Sequence, residues 1–141
     1  MLTYTYTHKV QYYETDQMKI VHHSNYIRWF EEARCALLSS IGCGYEVVEQ
    51  LGIVSPVLQV QADYKTMTSF GETVHIETAV SYYNGFRLNF TYTVRDSESG
   101  TVRCTGESKH CFLDQKGGIV NLRKAALELH AKMMTATAEE A

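Results

Sequence analysis

Residues Val10 to Arg34 read VQYYETDQMKIVHHSNYIRWFEEAR, and the fold can be inferred outward from this segment. It opens with strand-like residues, passes a polar turn that contains Asp16, reaches the pair His22 and His23, and ends in a helical pattern. Apolar residues recur in that last part at spacings of three and four, which predicts a helix with one apolar face. The apolar positions are Tyr26, Phe30, Ala33, Leu37 and Ile41. A carboxylate is therefore expected a few residues before the start of a long helix.

The ends and the polar face of this helix, residues 24–41, can also be read from the sequence. Ser24 or Asn25 can cap its start, and Gly42 suits the position just past its end. On the polar face, Glu31 has an arginine three residues away on either side. That spacing favours ion pairs on a solvated helix surface.

Length and composition describe an ordinary globular chain, and we treat residues 1–141 as a single domain. The net charge of −3 argues against nucleic acid as a partner, because phosphate binding needs a basic surface. No apolar run approaches the roughly 20 residues that cross a bilayer, so no membrane span is expected. The start of the chain lacks the pattern of an export signal. We expect a cytoplasmic protein whose four cysteines stay reduced.

The remainder of the chain is dominated by alternating apolar and polar residues, which predict strands. Five strands are expected, over residues 3–13, 58–64, 74–82, 88–94 and 101–113. A short helix is expected over residues 45–51, and a further amphipathic helix begins after Asn121. An antiparallel sheet needs its apolar face covered, and the helix over residues 24–41 is apolar enough to cover it. The pattern predicts an α+β domain whose sheet wraps that helix.

Asp16 is the candidate catalytic residue. An aspartate in a turn is more often structural than reactive. Here, however, aromatic residues flank Asp16 in the sequence, and the helix start that follows offers main-chain N–H groups to a developing oxyanion. A carboxylate and an oxyanion site are the minimum equipment for hydrolysing an activated acyl group.

The same stretch holds the other candidates for the site. His22 and His23 are adjacent, so their side chains diverge, and one of them can face the site. A metal site that uses Asp16 is disfavoured, because the spacing matches no common zinc pattern. Glu14 and Glu31 are the competing acids. The candidate substrate-binding residues are Tyr13, His22, Asn25 and Tyr26.

The segment YYETDQMKIVHHSNYIRWFEEAR resembles the signature of hotdog-fold acyl-CoA thioesterases, of the 4-hydroxybenzoyl-CoA thioesterase and Tol–Pal-associated types. The resemblance implies an antiparallel sheet of about five strands wrapped around one long central helix. It implies hydrolysis of an acyl-CoA to the carboxylic acid and free CoA. Asp16 matches the catalytic carboxylate, as nucleophile or as general base toward water. The main-chain N–H of His23 matches the donor that polarises the thioester carbonyl, and its side chain matches a histidine of the Tol–Pal-associated branch.

The resemblance also implies partners. Protomers would pair into dimers, or into tetramers built from two dimers, with the active sites at the protomer interface. No metal is implied, and no cofactor apart from coenzyme A as part of the substrate. The phosphates of coenzyme A would meet surface basic residues, for which the candidates are Lys65, Arg87, Arg103, Arg123 and Lys124.

One position departs from the family pattern. Lys19 stands where the family has a glycine, between the catalytic acid and the Val-His pair. Glycine permits a tight backbone turn at such a position. A lysine fits there if its φ angle is negative, and its charge would then lie near the thioester or the coenzyme A.

Two other functions remain open from the residues. Hotdog dehydratases use a histidine and an acid, and His23 with Asp16 fits that reaction as well. A non-catalytic acyl-CoA-binding module gains weight if Lys19 spoils the site. Release of free thiol from a saturated acyl-CoA separates hydrolysis from both.

Overall fold

Seven strands and four helices make up the computed structural model, which describes residues 1–138. The strands are β1 (Thr3–Lys9), β2 (Ile53–Val54), β3 (Val57–Tyr64), β4 (Thr73–Tyr83), β5 (Arg87–Asp96), β6 (Val102–Cys111) and β7 (Leu113–Asp114). The helices are α1 (Ser24–Ser40), α2 (Tyr45–Gln50), α3 (Leu122–Ala125) and α4 (Leu127–Thr137). No helix in this part of the chain is long and apolar enough to cross a membrane.

Five of the strands form one antiparallel sheet in the order β1-β4-β5-β6-β3, and β2 pairs with β7 in a separate small sheet. A hairpin at Asn84-Gly85 joins β4 to β5, and Gly85 has the positive φ angle, +94°, that such a turn requires. β3 and β1 are the two edges of the large sheet. The five predicted strands are thus present, with boundaries shifted by a few residues.

Helix α1 packs against the large sheet, as the apolar spacing predicts. Its buried stripe includes Trp29, Phe30, Ala33 and Leu37. The ring of Phe30 stacks on Tyr92 of β5 with 4.3 Å between ring centroids. The helix ends one residue earlier than predicted, and Gly42 follows it with a left-handed φ of +75°. The 17 residues of α1 therefore cover the apolar face of the sheet.

Several local predictions are wrong. The residue at the cap position of α1 is His23, and neither Ser24 nor Asn25 caps it; the Asn25 amide donates to the Glu14 carbonyl oxygen instead. Arg34 is buried and donates to the Tyr45 hydroxyl, because helix α2 covers that side of α1.

The ends of two elements also differ from the prediction. The first strand stops at Lys9, because a 3₁₀ turn over Tyr12–Glu14 bends the chain toward α1. The C-terminal helical segment is divided at Ala126 into α3 and α4. Asn121 does cap α3, as predicted, by accepting from the Arg123 N–H.

The polar turn before α1 is a small hairpin over Glu14–His22. Its arms are joined by the His22 N–H, which donates to the Glu14 carbonyl oxygen at 2.8 Å, and by the Asp16 N–H, which donates to the Ile20 carbonyl oxygen at 2.9 Å. Lys19 closes the turn by donating to the Asp16 carbonyl oxygen. This hairpin brings Asp16 beside the residues that lead into α1.

Lys19 has a φ angle of +64°, so the condition under which a lysine fits the glycine position, a negative φ, is not met. Among residues 1–138 it is the one non-glycine residue with a positive φ. The chain builds the same turn again at Asp114–Gly118, with the same main-chain hydrogen bonds, and there the left-handed position is held by Gly117 at φ +82°. The hydrogen bonds of the turn demand the left-handed conformation, whatever residue occupies the position.

Replacing Lys19 with glycine is expected to stabilise the fold. A side chain in the left-handed region costs roughly 1–2 kcal/mol, and the extra freedom of glycine in the unfolded chain offsets part of that, so a gain of about 0.5–1 kcal/mol is expected. Denaturant unfolding of Lys19→Gly measures it. The matched control is Lys116→Gly in the second turn, where φ is not positive and no gain is expected. A Lys19→Gly variant that unfolds as early as the control would contradict this account.

Candidate active site

A cleft of about 350 Å³ opens where the Glu14–His22 hairpin, the start of α1 and the end of β3 meet. Its walls combine one carboxylate, one histidine, one lysine and several apolar side chains. They are Asp16, Met18, Ile20, Val21, His23, Tyr26, Tyr64, Lys65, Thr66 and Met67. The structure therefore brings together three of the predicted site residues, Asp16, His23 and Tyr26.

The remaining predicted residues do not line this cleft. Tyr13 lies on the 3₁₀ turn and is 79% exposed. Asn25 is buried, and its amide is held by the Glu14 carbonyl oxygen. The ring of His22 is engaged at the helix start, where its Nδ1 lies 2.9 Å from Ser24 Oγ and 3.2 Å from the Ser24 main-chain nitrogen. The side chains of His22 and Asn25 therefore make local structural contacts, and that of Tyr13 is exposed to solvent.

Hydrogen bonds from the segment after β3 hold the second arm of the hairpin in place. Val21 N–H donates to the Thr68 carbonyl oxygen at 2.8 Å, and the Thr68 hydroxyl lies 2.9 Å from the Tyr26 hydroxyl. The Tyr64 hydroxyl donates to the carbonyl oxygen of His23 at 3.2 Å. The floor of the cleft is thus fixed to both α1 and the edge of the sheet.

The two oxygens of the Asp16 carboxylate differ in their surroundings. Oδ1 accepts the Met18 main-chain N–H at 2.8 Å, the same contact that Asp114 makes to Lys116 in the second turn. Oδ2 accepts no hydrogen bond from residues 1–138. The side chain is half-buried at the cleft wall. One oxygen orients the carboxylate, and the other is available to a molecule in the cleft.

The main-chain N–H of His23 is a second available group. It lies immediately before α1 and donates to no acceptor within the described part of the chain. The start of a helix carries a partial positive charge that favours anions. An N–H group at that place can donate to an oxygen that gains negative charge.

Glu14 is the residue whose role the sequence did not indicate. Its carboxylate is 4% exposed and accepts three hydrogen bonds, from Gln11 N–H, Trp29 Nε1–H and His8 Nε2–H. Burial by itself raises the pKa of Glu14, but these donors outweigh it and hold the pKa below its ordinary value of 4.5. The spacing of three between Gln11 and Glu14, typical of a capping box, is the one sequence signal for this contact.

The structure separates the basic residues considered for coenzyme A. Lys65 lines the cleft that holds Asp16. Arg103 lies 3.3 Å from Glu72 and 3.7 Å from Asp96, so its charge is compensated inside the protein. Arg87 lines a different cleft, and the remaining two basic residues lie on α3.

The chain resembles known proteins over most of its length. The sequence model of the "Thioesterase-like superfamily" matches residues 10–136. The Bacillus subtilis protein named "Putative acyl-CoA thioesterase YneP" is 35% identical over 123 residues, which are 86% of this chain and 88% of that protein. An Aquifex aeolicus protein named "Putative esterase" is 32% identical over 128 residues, 91% of this chain and 98% of that one. The crystal structure of a DHNA-CoA thioesterase from Staphylococcus aureus superposes with a TM-score of 0.91 at 28% identity, covering 96% of this chain and 91% of that one.

Proposed function

The chain belongs to the thioesterase-like superfamily and is a thioester hydrolase, and from that premise we propose that it hydrolyses acyl-CoA thioesters at the cleft that holds Asp16. One observation carries the proposal. Asp16 and His23 line the same cleft, and neither Asp16 Oδ2 nor the His23 main-chain N–H forms a hydrogen bond within residues 1–138. The likeness to the 4-hydroxybenzoyl-CoA and Tol–Pal-associated types stays a prediction.

In the proposed reaction the thioester carbonyl oxygen accepts a hydrogen bond from the His23 N–H. Asp16 Oδ2 either attacks the carbonyl carbon or removes a proton from a water molecule that attacks it. The tetrahedral intermediate collapses with cleavage of the C–S bond, and coenzyme A leaves as its thiol or thiolate. In the nucleophilic route, water then hydrolyses the acyl–Asp16 anhydride. Both routes give one carboxylic acid and one coenzyme A for each water consumed.

The side chains of the cleft support an apolar acyl thioester as the substrate. Met18, Ile20, Val21 and Met67 line the same cleft as Asp16, and Met18 and Met67 are exposed to solvent there. An acyl group bound against these side chains would displace water from the cleft, which would strengthen the hydrogen bond to the developing oxyanion. The bacterial relatives are named for acyl-CoA and DHNA-CoA substrates, which agrees with a coenzyme A thioester here.

Replacing Asp16 with asparagine is expected to remove most turnover. The amide is about the same size and keeps an oxygen for the Met18 N–H, but it is neither a base nor a nucleophile, so kcat should fall by about 10²–10⁴-fold. The measurement is thiol release from a panel of saturated acyl-CoAs, which a hydratase would not cleave. Glu98→Gln, an exposed acid in the turn between β5 and β6, is the control.

Two different results would contradict two different parts of the proposal. Wild-type turnover by Asp16→Asn would remove Asp16 from the mechanism. Tight binding of acyl-CoA by the wild-type protein, with no thiol released from any member of the panel, would contradict hydrolysis itself.

His23→Ala is expected to lower turnover less than Asp16→Asn does, because the main-chain N–H of residue 23 survives.

We further propose that Lys65 binds a phosphate group of coenzyme A. It is the one residue of the five basic candidates that lines the Asp16 cleft, and lysine is a common phosphate ligand. Lys65 also directly follows β3, so its main chain is held at the edge of the sheet, where its N–H donates to Arg103.

Lys65→Ala is expected to raise KM for an acyl-CoA about 5- to 10-fold, since a charge-assisted hydrogen bond is lost. KM for the matching acyl-pantetheine thioester, which has no nucleotide phosphates, should not change. Lys109→Ala, in a separate cleft, is the control. An equal rise in KM for both thioesters would show that Lys65 shapes the cleft and does not contact phosphate.

We also propose that the chain forms a homodimer or homotetramer through β3. This strand is an edge of the sheet, and Val57, Leu58, Val60 and Tyr64 on it are between 38% and 49% exposed. An unpaired edge with apolar side chains is a ready surface for a second strand.

Sedimentation at micromolar concentration should give two or four times the protomer mass of 16.1 kDa, and Val60→Lys should lower the measured mass. A wild-type protein that sediments at 16.1 kDa would contradict this assembly.

A further inference from the structure

We propose that the buried carboxylate of Glu14 is a positioning residue of the active site, which sets the placement of Asp16 relative to the His23 N–H. The inference rests on the proposed function, because that function makes the Asp16 carboxylate and the His23 N–H the reacting groups. Glu14 does not line the cleft and does not touch a substrate there.

The side chain of Glu14 joins three parts of the fold. One oxygen accepts the Gln11 N–H at 2.8 Å and lies 2.7 Å from His8 Nε2 of β1. The other oxygen accepts Trp29 Nε1–H of α1 at 2.7 Å. The carboxylate therefore fixes the base of the Glu14–His22 hairpin to the first strand and to the second turn of the long helix.

The main chain of the same residue holds the other arm of the hairpin. The carbonyl oxygen of Glu14 accepts the His22 N–H and the Asn25 side-chain amide, each at 2.8 Å. Asp16 is two residues after Glu14, and His23 is the residue after His22. A shift of Glu14 would therefore move the catalytic carboxylate and the oxyanion donor relative to each other.

The chemistry of this contact goes beyond what packing needs. An ionised carboxylate that is 96% removed from solvent is costly unless donors compensate both oxygens. The titratable group that faces it is His8, whose ring centroid lies 4.9 Å from that of Trp29 with a tilt of 40° between the rings. Glu32 contacts the other nitrogen of His8, with its carboxylate 3.6 Å from Nδ1. The donors of Glu14 come from β1, from the residues just before the hairpin and from α1, so the charge ties the first arm of the hairpin to both elements.

The test is Glu14→Gln, which keeps the size of the side chain and turns one acceptor oxygen into a donor group. That donor would face the His8 ring and the Gln11 N–H, or else the Trp29 N–H, and at least one contact must break. We expect kcat for an acyl-CoA to fall by about 100-fold, as for a misplacement of about 1 Å, with KM changed less than about twofold. Amide exchange at the His22 N–H should become faster.

Two further variants separate positioning from a general loss of stability. Trp29→Phe keeps an aromatic side chain and removes one donor to Glu14, so its loss of kcat should be smaller than that of Glu14→Gln. Leu129→Ala removes a buried side chain of α4, away from the hairpin, and should lower Tm without changing kcat at temperatures where it is folded.

The proposal is overturned if Glu14→Gln keeps wild-type kcat, or if its kcat falls only in proportion to its unfolded fraction, as for Leu129→Ala. It is also overturned if exchange at His22 is unchanged, whatever the turnover. Failure of the proposed function would look different: Asp16→Asn would retain turnover, while the exchange experiment would still decide the role of Glu14 in the hairpin.

Discussion

The rest of the structure depends on one constraint, that the apolar face of the large sheet is covered by α1. The buried stripe of Trp29, Phe30 and Ala33 leaves the helix a single orientation on the sheet. At Gly106 of β6 an added side chain would overlap the Phe30 ring, so the sheet is shaped to receive that stripe. Once the helix is seated, the place where it begins is fixed, and the cleft lies at that place.

The site is built largely from main-chain groups that follow from this seating. The His23 N–H is available because a helix start has no preceding turn to accept it. The Asp16 carboxylate is beside it because the hairpin returns the chain by hydrogen bonds between Glu14, His22 and Ile20. Side chains such as Tyr64 and Tyr26 complete the walls. The placement of Asp16 and His23 is therefore set by the backbone, and the bordering side chains complete the cleft.

The sequence predicts well what periodicity reports and poorly what depends on partners distant along the chain. Helix α1 and the alternating strands follow from repeats of 3.6 and 2 residues, and the placement of Asp16 and His23 in one cleft follows from their position before that helix. The burial of Glu14 depends on His8 and Trp29, and that of Arg34 on Tyr45, and no local pattern encodes those pairings. The left-handed Lys19 is missed because the hydrogen bonds of the hairpin override the residue's own preference. The charge pattern of α1 predicts a solvated face and so misses the burial of Arg34, because a local pattern cannot reveal that α2 packs over it.

The duplicated turn has a consequence for how function is encoded. The pattern Asp-Gln-x-x-x occurs at two places in the chain, and both copies have the same conformation. In each copy the aspartate carboxylate accepts a hydrogen bond from the main-chain N–H two residues later. At Asp114 that shape closes a surface loop, whereas at Asp16 it borders a hollow beside a helix start. The same short motif thus closes a surface loop in one place and borders the proposed active site in the other. A search for the pentapeptide alone would retrieve both copies equally. The two copies differ in the residues that surround them. Substitutions in those surrounding residues can change the role of a turn while its backbone conformation stays the same.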